Sequence, residues 1–126
     1  MKTVLWISLF GFWVTVPHVA EDFVFGVPQK YGVSLTLAGI LLAAGYFVQM
    51  IGIVLLALGR RAGLVLSLLV GSVWLAGALW DHLPDLLKES PYREGPISKV
   101  WIAGIILWGG SLAAVSFLNL RHSRRR

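Results

Sequence analysis

The sequence predicts an all-α fold, a four-helix transmembrane bundle, and three observations predict it. Four apolar stretches of membrane-spanning length divide the chain, 57% of its 126 residues are hydrophobic against 13% charged, and its basic clusters alternate along the chain with connections that hold every acidic residue. With a mean hydropathy of +0.78, the chain carries more apolar side chain than one soluble core of this size encloses. Lipid is therefore its expected solvent and the bilayer its first partner.

The stretches run at about 3–20, 34–58, 63–83 and 98–120 and form one integral membrane domain covering 1–126. Each is near the ~20 residues that a helix rising ~1.5 Å per residue needs to cross ~30 Å of hydrocarbon. They are apolar on every face, unlike the alternating segments of about ten residues that build a membrane barrel.

The first stretch follows Lys2 and ends His18-Val-Ala-Glu21-Asp22. A basic start, an apolar run and Ala20 before Glu21 also describe a cleaved signal peptide, but His18 occupies the position three before the cut, where a small residue is needed. The expectation is that this span is retained. The second stretch follows Tyr31-Gly32, has Ser34 as N-cap, and closes at Gly59 with Arg60 and Arg61. The third carries small residues at helix-packing spacing, Ser67 with Gly71 and Ser72 with Ala76, and ends Asp81-His82-Leu-Pro-Asp85. The fourth follows Gly95-Pro96, takes Ser98 as its N-cap, and carries Gly110 with Ala114.

Charge sets the orientation. Lys2, the Arg60-Arg61 pair and the tail arginines Arg121, Arg124, Arg125 and Arg126 share one face if there are four spans, and the positive-inside rule makes that face cytoplasmic. The expected protein sits in the cell membrane with both termini inside. All six acidic residues, Glu21, Asp22, Asp81, Asp85, Glu89 and Glu94, then lie in the outer connections. The net charge of +5 thus reports topology and not a nucleic-acid partner. A weak repeat at an offset of 64 sets His18 on His82, Glu21 on Asp85 and Ser34 on Ser98, which leaves open an arrangement as two parallel helical hairpins.

The residues with chemistry gather at the outer ends of the first and third spans. Each end has a His with a carboxylate three residues on, and the two spans run parallel, so His18, Glu21, Asp22, Asp81, His82 and Asp85 are expected to converge. Imidazole with carboxylate suits a divalent transition metal such as zinc, iron or manganese. Haem between the two histidines ranks lower, because carboxylates oppose its propionates unless Arg93 or Lys88 compensates. The plain alternative is a solvated boundary in the headgroup zone, with Tyr31, Trp80 and Trp101 as interfacial anchors. Tyr46, Gln49, Ser111, Ser116 and Asn119 read first as interhelical hydrogen-bonding groups.

With no cysteine in the chain, thiolate metal sites, iron–sulfur clusters and thiol catalysis are excluded. No phosphate loop, dinucleotide fingerprint, nucleophile elbow or His-Glu-x-x-His appears, so a soluble-type enzyme is not the expectation. The leading expectation is a cation or proton site for transport, sensing or metal-dependent chemistry. The competing ones are an accessory or scaffold subunit bound to a partner membrane subunit or to its own copies, and a lipid- or isoprenoid-binding protein.

Overall fold

A computed structural model describes residues 1–87 and 96–123. They fold as α1 (Lys2–Val24), α2 (Val27–Lys30), α3 (Leu35–Ala57), α4 (Arg61–Leu86) and α5 (Pro96–Ser123), with no strand among the described residues. The long helices α1, α3, α4 and α5 are each apolar enough to cross a membrane.

Local chemistry explains the ends. Ser34 caps α3, its hydroxyl accepting from the Leu37 amide at 3.2 Å. At the other end of α3, Gly59 adopts the left-handed conformation, and the Arg60 amide bonds back to the Leu55 carbonyl at 2.8 Å. The Gly59 amide bonds to Leu56 at 3.0 Å, which completes a Schellman motif and turns the chain directly into α4.

Ser98 is not the N-cap that the sequence suggested. Helix α5 is already formed at Pro96, whose fixed φ suits the first helical turn, and Ser98 lies buried inside that turn. Helices α1 and α4 also continue past their expected limits, to Val24 and Leu86, so the His and acid residues at both ends are helical.

Helices α1 and α4 each pack against α3 and α5 and face one another across the middle of the bundle. Helix α1 runs opposite to α5: Glu21 meets Ser98, Ile7 accepts from Trp108 at 2.7 Å, and the Met1 amino group reaches Asn119 at 3.3 Å. It runs in the same sense as α4, since Ser8 lies 3.4 Å from Ser67 near one end and His18 meets His82 near the other. The N-terminus, the Gly59 turn and the end of α5 therefore share one end of the bundle.

Small residues set how closely the helices approach. A Cβ on Gly71 would sit 2.8 Å from the Gly109 carbonyl, and one on Gly109 would sit 3.0 Å from the Gly71 carbonyl. Helices α4 and α5 thus touch backbone to backbone. Ser67 and Gly71 face protein as expected, but Ser72, Ala76 and Ala114 are exposed, and Gly109 takes the place assigned to Gly110. The core around Val4, Leu64, Ile105, Trp108 and Leu112 fills the space between these crossings.

Candidate functional site

The end of the bundle away from Met1 holds a buried pair of ionisable side chains. His18 of α1 and His82 of α4 are each 3% exposed. Their Nε2 atoms lie 3.1 Å apart, with ring centroids separated by 4.8 Å and planes inclined at 70°. At that distance one nitrogen donates to the other, and the tautomers decide which.

Carboxylates complete the group from both sides. Asp22, one turn beyond His18, sets Oδ2 3.4 Å from the His18 Nε2, and Asp81 sets Oδ2 3.4 Å from the His82 Nε2. Donor atoms of His18, Asp22 and His82 all lie within 4.8 Å of one another. Asp81 is held in turn by α2 and its cap: the Tyr31 hydroxyl donates to it and the Lys30 ammonium stands 3.6 Å away. Gly26 in the left-handed conformation starts α2 and so swings Lys30 and Tyr31 over the mouth of the bundle.

Four of the six residues singled out from sequence therefore meet: His18, Asp22, Asp81 and His82. Glu21 turns to α5, where it accepts from the Ser98 hydroxyl at 2.6 Å. The Asp85 side chain lies outside the described residues, as do Lys88, Glu89, Arg93, Glu94 and residues 124–126. Lys30 and the partnership of Tyr31 with Asp81 escape sequence reading, because a four-residue helix in a connection creates them. Deeper in the bundle, Tyr46 donates to the Thr15 hydroxyl at 3.1 Å and Gln49 to the Ser8 carbonyl at 3.0 Å, as interhelical hydrogen bonds.

No family profile, curated protein or solved structure matches this chain.

Two nitrogens bound at ~2.0–2.1 Å to one tetrahedral ion stand about 3.3 Å apart, close to the 3.1 Å found here. A haem clasped between two imidazoles needs ~4 Å between the nitrogens and a slot for the macrocycle. The edge-on rings leave no such slot. The group opens on a pocket of about 350 Å³ between α3 and α4, whose walls include Leu41, Gly45, Val73, Trp74 and Gly77.

Proposed function

We propose that this chain is a multi-pass membrane protein that keeps a divalent transition-metal ion at the mouth of its bundle, bound by His18, His82 and Asp22. Asp81 supports the ion's charge and the position of His82. The observation that carries this reading is the convergence of three metal-ligating side chains, two of them buried imidazoles, from diagonally opposed helices. A cation shared by these imidazoles and carboxylates would offset the hydration they lose on burial.

Transport, sensing and metal-dependent chemistry are the roles such an ion would serve. Below the site the interior holds Ile105, Trp108 and Leu112 beside buried polar groups of α1, α3 and α4, Tyr46 bonded to Thr15 and Gln49 and Ser67 set against Ser8. By the positive-inside rule, Lys2, Arg60, Arg61 and Arg121 set the opposite end toward the cytoplasm and this mouth outward, in the cell membrane.

Metal analysis of detergent-purified protein tests the reading. About one ion per chain is expected for a single site of this donor set, lost in the His18→Ala/His82→Ala double variant and kept in His122→Ala. Wild-type protein with no more metal than the double variant after incubation with zinc, iron or manganese overturns it. The hydrogen-bond distance between the two Nε2 atoms supports a second reading, in which the pair shares a proton instead of an ion; that reading stands if the metal does not.

A further inference from the structure

We propose that the pocket between α3 and α4 admits a neutral, membrane-dissolved molecule with an oxygen-bearing head and an apolar tail, whose head reaches the His18–Asp22–His82 centre. The inference rests on the metal reading given above and names the ligand class that the same site would take.

Three features of the pocket lead there. First, its position: His18, Asp22, Asp81 and His82 form one end, and apolar side chains form the rest. Leu41 and Val73, on facing helices, are 59% and 70% exposed, so the pocket opens sideways between α3 and α4 and not only along the bundle axis. In a protein surrounded by lipid, that opening faces hydrocarbon, and a ligand enters from the bilayer.

Second, the coordination: three protein donors on a tetrahedral ion leave a fourth position for a small oxygen ligand. All three donor residues line this pocket, so the remaining position is reached from it. Third, the charge: Asp22 and Asp81 offset a divalent ion on the pocket side, while Lys30, 3.6 Å from Asp81, is half exposed and does not line the pocket. A hydroxyl or carbonyl head then adds no net charge at the edge of hydrocarbon, whereas a phosphate head adds an anion beside two carboxylates. Trp74 also lines the pocket and adds an aromatic contact for a ring-bearing head.

Two glycines keep the pocket open. A Cβ added at Gly45 or Gly77 meets nothing within 4 Å, and both glycines line the pocket, so a larger side chain at either position starts into open space beside it. Gly39 of α3 is equally unobstructed but lies outside the pocket, which makes it a matched control.

The test uses the full chain, loaded with zinc, in nanodiscs of phosphatidylcholine. The probes are a tritiated hydroquinone with a decyl tail and dodecyl phosphate, with bound metal measured in each sample. Saturable hydroquinone binding is expected, weakened by on the order of tenfold or more in Gly45→Leu and Gly77→Leu but not in Gly39→Leu, with metal content unchanged in all three. Hydroquinone binding that is absent, unaffected by both filling variants, or weaker than dodecyl phosphate binding overturns the inference while the metal reading stands. Wild-type protein without metal removes both together. Where a filling variant loses metal or unfolds at a lower temperature, the other filling variant decides.

Discussion

The Nε2 atoms of His18 and His82 lie 3.1 Å apart across 64 positions of sequence, closer than the 3.4 Å between Ser8 and Ser67 at the other end of the same helix pair. Two diagonal helices are thus joined by polar contacts near both ends. Only the histidine end also gathers carboxylates from both sides.

That grouping ranks the effects of single substitutions on zinc affinity, measured by competition with a chromogenic chelator. His18→Ala, His82→Ala and Asp22→Asn each remove a direct donor and should abolish stoichiometric binding. Asp81→Asn removes a supporting contact and should weaken binding by roughly 10–100-fold. Equal loss in all four variants would make Asp81 a ligand in its own right.

Topology has its own test. The N-terminus, the turn at Gly59 and the end of α5 share one end of the bundle, and that end carries Lys2, Arg60, Arg61 and Arg121. Ala62 is exposed beside the turn, so an Ala62→Cys variant in intact cells should resist a membrane-impermeant maleimide until the cells are opened. Labelling before lysis would invert the assignment.

The crossing of α4 on α5 predicts a sharp contrast between adjacent residues. Gly71→Leu forces a side chain into the Gly109 carbonyl and the Ala113 amide, both 2.8 Å from the new Cβ. It should lower stability by about 1–3 kcal/mol or more, read as an earlier thermal transition in detergent. Ser72→Leu points outward and should change it little. Equal transitions for both variants would mean that the two helices do not touch at Gly71.

This contrast marks how far the sequence is legible. Four spans are readable because hydrocarbon thickness imposes their length, and the Ser34 cap is readable because its hydroxyl acts on its own helix. Which small residues face protein is not, since neighbours on a helix differ by roughly 100° and a spacing of four fits several faces of a glycine-rich span. The same limit applies to the site. Parallel first and third spans bring His18 and His82 together, and sequence order alone conveys that. The choice between Glu21 and Asp22 depends on which neighbouring helix each one meets, and Ser98 of α5 decides it. The 64-residue repeat breaks at that point, because Ser34 caps its helix whereas Ser98 lies within one.

The division of labour between Glu21 and Asp22 gives the last prediction. Consecutive residues on α1 diverge by roughly 100°, so only one of the two carboxylates can lean toward His82. Asp22 returns to the His18 side of the helix one turn on, whereas Glu21 faces α5 and takes the hydroxyl of fully buried Ser98 at 2.6 Å. That bond should act on the docking of α5 and leave the metal alone. A double-mutant cycle of Glu21→Gln and Ser98→Ala, followed by thermal unfolding in detergent, should give a coupling of about 0.6 kcal/mol and no more than about 1.7 kcal/mol, the average and the upper end for interhelical hydrogen bonds in membranes. Bound zinc should stay at the wild-type level in both single variants. Loss of zinc from Glu21→Gln, with the Ser98→Ala protein still loaded, would return Glu21 to the ligand set and require α1 to turn by most of a residue step.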